Sequence, residues 1–460
     1  MTENDPISAS GAPADEADAN VGVEVVSLGC RLNLAEGEAM RRLADEAGLT
    51  RAVIINSCAV TNEAVRRTRQ HIRRARRADP GARIIVTGCA AQIDPEAFGA
   101  MPEVNGVIGN ADKLNAAEWK AIGAGRDGVA VNDIMSVREN AAHLIDGYGD
   151  RARAFLQIQN GCDHRCTFCV IPFGRGPSRS VPIDDAVSSV RRLVASGHRE
   201  IVLTGVDMTS WGADIDGAPR LGRLVATILD AVPELFRLRL SSVDCAEIDP
   251  ELFERATGDA RFAPYLHLSL QAGADMILKR MKRRHMRDDA ISLAAALRAR
   301  RQGFAIGADL IAGFPTETDA MFEETLALID EAGINYVHAF PYSAREGTPA
   351  ARMPQVDHAA VNARARRLRD AGEAATEKFF RSLVGTEDDA VVESGGRGRL
   401  GNFAPVRLDA SARRPGDVAR VAIAGLAGGQ LDAREVPSCE GRTPDPIKKP
   451  RPEITSEARL

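Results

Sequence analysis

The sequence predicts an α/β protein with an N-terminal parallel α/β domain, a central partial (β/α)6 barrel and a small C-terminal all-β barrel. Short β-branched runs alternate with amphipathic helical segments, first on a small scale and then on a larger one, and this predicts the first two parts. A change to short apolar runs separated by glycines predicts the third. The predicted ranges are 21–147, 148–384 and 385–436, with polar tails expected to be disordered at 1–20 and 437–460.

Three similar units open the chain, and each ends in a cysteine. VEVVSLGC ends at Cys30, AVIINSC ends at Cys58 and ARIIVTGC ends at Cys89, with helical patterns between them. Strands joined by helices form parallel sheets, whose carboxyl ends lie at one edge, where ligands bind. We therefore expect the three cysteines at one edge of a sheet, although each alone is typical of an inert buried cysteine.

Six further candidate strands follow, separated by amphipathic helices such as DDAVSSVRRLVASG. Six βα units fit an open, partial barrel better than a closed barrel of eight units. The candidate strands are 155–161, 200–207, 237–242, 266–271, 305–311 and 335–343. A long helix near 358–383 then leads to the small barrel.

The composition limits the classes of function. Hydrophobic residues make up 44% and charged residues 27%, which is typical of a soluble globular protein. No apolar run approaches the roughly 20 residues that cross a bilayer, and the acidic N-terminus lacks the features of a signal or transit peptide, so we expect a cytoplasmic protein with no membrane partner. Eight cysteines in such a chain favour metal binding or catalysis over disulfides.

Charge gives no global signal for nucleic acid, because the net charge is −5. Residues 66–77, however, hold seven arginines in RRTRQHIRRARR. This run is either a solvated helix face or a surface that contacts phosphates.

The strongest local signal is NGCDHRCTFCVIPFGRG, directly after the first barrel strand. Cys162, Cys166 and Cys169 have the spacing C-x3-C-x2-C, and thiolates at this density bind a soft metal. A zinc knuckle is the alternative. Structural zinc takes four protein ligands, but no fourth cysteine or suitably placed histidine follows, and we expect His164 to face solvent. Three thiolates suit a [4Fe–4S] cluster with one open iron.

This motif, with Phe168 before its last cysteine and a partial barrel behind it, resembles that of the radical S-adenosylmethionine (SAM) enzymes. The resemblance implies that the open iron chelates SAM and that one electron cleaves SAM to methionine and a 5′-deoxyadenosyl radical. A dry cavity lined by strands would protect that radical.

The segments SLGCRLNLAEGE, INSCAVTNEA and VTGCAAQ, with a small barrel similar to a TRAM domain, narrow the resemblance to the methylthiotransferase family. By that resemblance Cys30, Cys58 and Cys89 ligate a second [4Fe–4S] cluster, which carries the sulfur to be methylated and inserted. The cofactors implied are thus two [4Fe–4S] clusters and SAM.

Two segments, NSCAVTNEA with its arginine-rich helix and YSAREGTPAARMPQV at 342–356, resemble the family type that acts on N6-threonylcarbamoyladenosine in tRNA. The implied reaction adds a methylthio group to C2 of that adenosine, at position 37 beside the anticodon. The implied partners are the tRNA anticodon stem-loop, a low-potential electron donor and a sulfur source. Isopentenyladenosine-tRNA and ribosomal-protein methylthiotransferases are the alternatives within the class. A non-catalytic metal-stabilised RNA-binding protein, or a redox sensor, is the alternative outside it.

Other residues at strand ends carry over from the resemblance as candidate contacts of SAM, with turn or core packing as the alternative for each. They are Phe168, Gly205, Ser242, Gln271 and Asp309. Residues 280–285 are candidates for contact with substrate or cofactor, or form a solvated helix end. Residues 396–407, GRGRLGNFAPVR, combine basic residues with one aromatic, which indicates RNA binding by stacking and phosphate contacts, with a purely structural cap as the alternative. Cys245 and Cys439 match no ligand motif.

Overall fold

The computed structural model describes residues 22–138, 151–408 and 413–437. The predicted tail at 1–20, nearly all of the predicted tail at 437–460, and the predicted boundary near residue 148 lie outside these ranges. None of the helices in the described ranges combines the length and the apolar character needed to cross a membrane.

The N-terminal part is a five-stranded parallel sheet whose strands lie in chain order. Its elements are β1 (Gly22–Ser27), α1 (Arg31–Glu46), β2 (Arg51–Ser57), α2 (Asn62–Ala78), β3 (Arg83–Gly88), α3 (Cys89–Ile93), α4 (Pro95–Gly99), β4 (Gly106–Ile108), α5 (Ala116–Gly123) and β5 (Gly128–Ala130). Side chains alternate across the sheet because a strand has a period of two. Ile55 packs with Ile72 of α2 on one face, and Ile54 packs with Met40 of α1 on the other.

The central part contains the six predicted strands, which pair in parallel with their neighbours along the chain, so the partial barrel is confirmed. Two predicted strands are interrupted, one after Gln157 and one after Leu240, and each continues as a two-residue strand. The short strand after Gln157 pairs antiparallel with a further two-residue strand. The elements are β6 (Arg153–Gln157), β7 (Gln159–Asn160), α6 (Ile171–Arg175), β8 (Arg179–Ser180), α7 (Ile183–Ala195), β9 (Glu200–Thr204), α8 (Leu221–Ala231), β10 (Arg237–Leu240), β11 (Ser242–Val243), α9 (Pro250–Gly258), β12 (Tyr265–Gln271), α10 (Asp275–Met281), α11 (Arg287–Arg300), β13 (Ala305–Ala312), α12 (Asp319–Glu331), β14 (Tyr336–Pro341) and α13 (His358–Leu383).

The C-terminal part is a closed five-stranded barrel in the order β15-β16-β17-β19-β18, as the glycine-rich pattern predicts. Its strands are β15 (Glu387–Glu393), β16 (Arg397–Arg399), β17 (Pro405–Leu408), β18 (Val418–Ala427) and β19 (Gln430–Glu435). Helix α13 reaches this barrel directly, since Phe380 and Leu383 belong to its apolar core.

The small barrel packs against the amino-terminal ends of the central strands. Arg239 of β10 donates hydrogen bonds to the carbonyl oxygens of Leu400 and Gly401, at 3.3 and 3.0 Å. The Phe403 ring stacks on that of Tyr265, with 4.9 Å between ring centroids. Phe403 is only 7% exposed. The expectation that this aromatic stacks on RNA is therefore wrong, because its ring is already buried between two domains.

Candidate metal centres

Strand register brings the three N-terminal cysteines to one edge of the sheet. Ser27, Asn56 and Thr87 lie side by side on β1, β2 and β3. Cys58 and Cys89 each follow two residues later, and Cys30 follows three residues after Ser27. Burial raises the pKa of the Cys58 thiol to about 12, and the nearby thiols of Cys30 and Cys89 contribute to this increase. The three side chains thus share one site.

Close packing around Cys58 depends on Gly29. A Cβ atom placed on Gly29 would lie 2.6 Å from Cys58 Sγ, and the backbone φ of Gly29 is +89°. Both facts favour glycine, because other residues rarely adopt this conformation and have no room here. Gly29 therefore lets the Cys30 loop approach Cys58.

Asn33, one turn into α1, ties the cysteine loops together. Its amide nitrogen donates to the carbonyl oxygens of Leu28 and Ser57, at 2.6 and 3.1 Å. Its amide oxygen accepts a weak hydrogen bond from Cys30 Sγ at 3.8 Å. Asn33 stands in the quoted SLGCRLN motif, but no local signal in the sequence marks it as a functional residue.

The second cysteine set lies in the loop between β7 and α6, and backbone hydrogen bonds fix that loop. The Cys162 amide donates to Gly176 O at 3.0 Å, and the Cys169 amide donates to Cys166 O at 3.2 Å. The Ile171 amide donates to Cys169 Sγ at 3.4 Å. Amide donors stabilise a thiolate, so the first turn of α6 is suited to hold Cys169 in its metal-binding form.

Arg283 contacts the second cysteine set. It belongs to residues 280–285, for which the sequence leaves open contact with substrate or cofactor and a solvated helix end. Its guanidinium donates to Cys166 Sγ at 3.7 Å, to Asp244 at 2.8 Å and to Ser269 O at 2.6 Å. The segment is therefore more than a solvated helix end, because one of its arginines contacts a cysteine of the motif.

His164 is half-buried, so the expectation that it faces solvent holds only in part. Its Nε2 lies 2.9 Å from Asp207 Oδ2, and the side chain is 24% exposed. The Asp207 carboxylate also accepts a hydrogen bond from Cys162 Sγ at 3.7 Å. The close contact with Asp207 holds the histidine, which the local sequence could not reveal because Asp207 follows the next barrel strand.

The spacing of the thiols distinguishes a cluster from a single zinc ion. Zn–S bonds of about 2.3 Å in a tetrahedron separate the sulfurs by about 3.8 Å. Neither set of three cysteines is among the groups of described residues whose ligand atoms all lie within 4.8 Å of one another. One such group joins Cys162 to His164 and Asp207, with no second cysteine. All six cysteines are free of disulfides. The three thiols of each set are therefore not gathered as the ligands of a single zinc ion, and three soft thiolates suit an iron–sulfur cluster with one open iron.

The two cysteine sets face each other across α3 and α6. A Cβ placed on Gly174 would lie 3.1 Å from the Cβ of Cys89. Asn110 donates to Gly174 O at 2.5 Å and to Cys89 Sγ at 3.8 Å. Burial raises the pKa of Cys169 to about 11, and Cys89 of the other set contributes to this increase. Two metal centres built on these sets would therefore be neighbours.

A buried arginine, Arg175, lies between the sets. Its Nε donates to Cys89 Sγ at 3.3 Å. Its two terminal nitrogens donate to both carboxylate oxygens of Glu36, at 2.6 and 2.9 Å. Burial would raise the pKa of Glu36, but Arg175 and Lys113 together lower it to about 2, so Glu36 is ionised.

Two of the candidate SAM contacts have structural partners. The Phe168 ring packs edge-on against Phe314, with centroids 6.3 Å apart. A Cβ on Gly205 would lie 2.9 Å from Gln159 Oε1, and that oxygen accepts hydrogen bonds from the amides of Val206 and Asp207. The space beside Gly205 is thus taken by Gln159, which is the turn packing weighed as the alternative for this position, and contact of Gly205 with SAM stays a prediction.

The other three candidates lie on neighbouring strands. Ser242 is half-buried in β11, and Gln271 ends β12 with φ of +75°. Asp309 of β13 lies between two histidines, 2.9 Å from His267 Nε2 and 3.3 Å from His338 Nδ1. Burial opposes ionisation of Asp309, but His267 and His338 hold its pKa well below the ordinary range. No local signal in the sequence marks either histidine, because each lies on a different strand from Asp309.

Comparison with known proteins agrees with this geometry. A model of the radical SAM superfamily matches residues 156–329, and a model described as uncharacterized protein family UPF0004 matches residues 22–109. The structure of the radical S-adenosylmethionine methyltransferase TsrM from Kitasatospora setae covers 70% of each chain with a TM-score of 0.50 and 18% identity, which shows the fold alone. Fold and cysteine loop together define a radical SAM enzyme, a class whose cofactors are a [4Fe–4S] cluster and SAM.

Sequence relatives identify the family. The threonylcarbamoyladenosine tRNA methylthiotransferase MtaB of Rickettsia prowazekii (strain Madrid E) is 48% identical over 85% of this chain and 92% of its own length. The protein of the same name from Bacillus subtilis (strain 168) is 36% identical over 74% and 78%. A tRNA-2-methylthio-N(6)-dimethylallyladenosine synthase from Novosphingobium aromaticivorans is 36% identical over 81% and 87%. The chain belongs to the radical SAM methylthiotransferase family, as its cysteine motifs predict.

Proposed function

We propose that this enzyme converts N6-threonylcarbamoyladenosine at position 37 of tRNA to its 2-methylthio derivative. One observation carries the chemistry: two sets of three free cysteines face each other across α3 and α6, one of them in a radical SAM loop. The substrate is supported by the relative of 48% identity, which is named for this nucleoside. The dimethylallyladenosine synthase among the relatives makes the isopentenyl nucleoside the second candidate.

Two [4Fe–4S] clusters fit the two sets. Cys162, Cys166 and Cys169 would hold the first, and the sheet-edge cysteines already described would hold the second. When bound, the first supplies the electron that cleaves SAM and the second supplies the sulfur for insertion. Arg283 and the Ile171 amide would stabilise the thiolates of the first set. A low-potential electron donor and a sulfur source complete the proposed partners.

SAM would bind over the carboxyl ends of the central strands, with Phe168, Gly205, Ser242, Gln271 and Asp309 as its proposed neighbours. Phe168 belongs to an apolar group with Ile311 and Phe314, which is suited to exclude water from a radical.

The segment AVTNEA, which follows Cys58, contacts the segment that follows β14. The backbone amide of Asn62 donates to Ser343 Oγ at 3.1 Å. The side chain of Asn62 donates to Ala344 O at 3.0 Å and accepts a hydrogen bond from Arg345. These are the two segments whose resemblance indicates the threonylcarbamoyl substrate. Their contact supports a joint role in shaping the substrate site beside Cys58.

The arginine-rich helix α2 is the proposed contact for the anticodon stem-loop. Arg76 donates to carbonyl oxygens of Pro80, Ala82 and Glu103, so it has a structural role. Five other arginines of this helix are exposed, namely Arg66, Arg67, Arg73, Arg74 and Arg77. Their side chains extend from a helix that begins four residues after Cys58, which suits phosphate contacts close to the reacting nucleoside. A tRNA substrate also accords with the predicted cytoplasmic location.

Iron and acid-labile sulfide after anaerobic reconstitution test the two-cluster assignment. The wild type is expected to hold about eight iron per chain. A variant with all three sheet-edge cysteines changed to alanine, and a second with Cys162, Cys166 and Cys169 changed, are each expected to hold about four. Four iron in the wild type, or zinc without sulfide, would refute it.

A further inference from the structure

We propose that Arg175 is a positioning residue shared by both cysteine sets, and that it sets the reduction potential of the cluster held by Cys30, Cys58 and Cys89. The inference rests on the proposed function, because it takes those cysteines as ligands. It goes further by assigning a role to a residue that is itself no cluster ligand.

The contacts of Arg175 reach both sets. Besides Cys89, the guanidinium donates to Asn33 Oδ1 at 2.6 Å, and Asn33 holds the loops of Cys30 and Cys58. It also donates at 3.1 Å to Asn160 Oδ1, which accepts the Gly161 amide just before Cys162. Arg175 itself ends α6, six residues after Cys169. One planar side chain therefore fixes the relative position of the two sets, which the forked geometry of arginine permits and that of lysine does not.

Charge around Arg175 favours a negative neighbour. The side chain is 1% exposed, and Lys113, which is 0% exposed, contacts Glu36 Oε2 at 2.6 Å. Two cations and one carboxylate leave a buried net charge of +1 beside Cys89. Hydrogen bonds to sulfur and local net charge are two determinants of the potential of an iron–sulfur cluster. The hydrogen bond to Cys89 Sγ and the local positive charge both stabilise the reduced cluster, because the reduced cluster carries one more negative charge than the oxidised cluster.

The reduction potential of the cluster at Cys30, Cys58 and Cys89 can be measured alone in a full-length variant. In this background variant Cys162, Cys166 and Cys169 are changed to alanine. In that background Arg175→Lys keeps the positive charge and loses the hydrogen bond from Nε to Cys89 Sγ. Glu36→Gln removes one negative charge, so the local net charge becomes more positive by one unit. The matched control is Arg239→Lys, since Arg239 is equally buried and pairs with Glu200 at 2.8 Å, at the other end of the central strands.

Redox titration followed by electron paramagnetic resonance gives the potential, and iron analysis gives the loading. Arg175→Lys is expected to lower the equilibrium constant for reduction about tenfold, which is about 59 mV for a one-electron couple. Glu36→Gln is expected to shift the potential in the opposite direction, and Arg239→Lys to leave it unchanged.

Four other outcomes are possible, and each refutes either the ligand assignment or the role of Arg175. A background protein without iron refutes the ligand assignment and the inference together. A loaded background with an unchanged potential in Arg175→Lys refutes the inference alone. So do equal losses of iron in Arg175→Lys and Arg239→Lys, or shifts of the same sign in Arg175→Lys and Glu36→Gln, because these indicate general destabilisation.

Discussion

Replacing Gly29 by alanine is expected to remove one cluster and leave the other. The new Cβ would lie 2.6 Å from Cys58 Sγ and 2.7 Å from Cys58 Cβ, and the residue would have φ of +89°. The left-handed backbone costs about 1–2 kcal/mol for a residue with a Cβ. Overpacking adds about 1–3 kcal/mol. Cys58 is 6% exposed and packs within the apolar core of the domain, so the strain falls on the site itself.

Gly48→Ala is the matched control in the same domain. Gly48 has φ of +76°, and a Cβ atom placed on it would have no neighbour within 4 Å. This variant should therefore lose only the backbone part, about 1–2 kcal/mol. A difference between the two variants then reports the steric conflict with Cys58.

Iron content and SAM cleavage are the two readouts for this pair. After anaerobic reconstitution Gly29→Ala is expected to hold about four iron per chain, and Gly48→Ala about eight. Both should still cleave SAM with a chemical reductant, because the Cys162 loop is unchanged. Eight iron in Gly29→Ala would show that Gly29 does not shape the site of Cys58.

Three further predictions concern other parts of the molecule. Asn62→Ala should lower tRNA methylthiolation while iron content stays at the wild-type level, because it loosens only the packing against the segment after β14; lower iron content would contradict this. Arg73→Glu with Arg77→Glu should weaken tRNA binding in a filter assay and reduce its salt dependence, with a slope lower by about one for each phosphate that the variant no longer neutralises; unchanged affinity would exclude this face. Burial would raise the pKa of Glu200, but Arg239 and Arg237 lower it to about 2 from 4.5. The stability that ionised Glu200 contributes is complete above pH 4.5 and is lost as the pH falls towards 2, so urea midpoints should fall more steeply with acid in the wild type than in Glu200→Gln.

The sequence predicts the fold correctly wherever the signal is local and periodic. The six central strands and the helix His358–Leu383 follow from alternating patterns. The meeting of Cys30, Cys58 and Cys89 follows from one rule, since the carboxyl ends of parallel strands share an edge. The five strands of the N-terminal sheet lie in chain order, so the loops after β1, β2 and β3 are neighbours.

Contacts between domains could not be predicted in this way. Arg175 stands in the quoted motif CVIPFGRG, yet its partner Glu36 is 139 residues away in the chain. The sequence GNFAPVR indicates an RNA contact for its aromatic residue, because basic and aromatic residues together are typical of such surfaces. The same composition suits an interface in which arginines surround a buried ring, as Arg239 and Arg399 surround Phe403. Local sequence does not distinguish these two uses.

The nucleosides of tRNA from a strain that lacks this protein give the most direct test of the proposed activity. Mass spectrometry should show that 2-methylthio-N6-threonylcarbamoyladenosine is absent, that the unmethylthiolated nucleoside accumulates, and that the wild-type gene restores the product. The variant lacking Cys162, Cys166 and Cys169 should not restore it. Undiminished 2-methylthio-N6-threonylcarbamoyladenosine in the deletion strain, or loss of the methylthio-isopentenyl nucleoside in its place, would contradict the assignment.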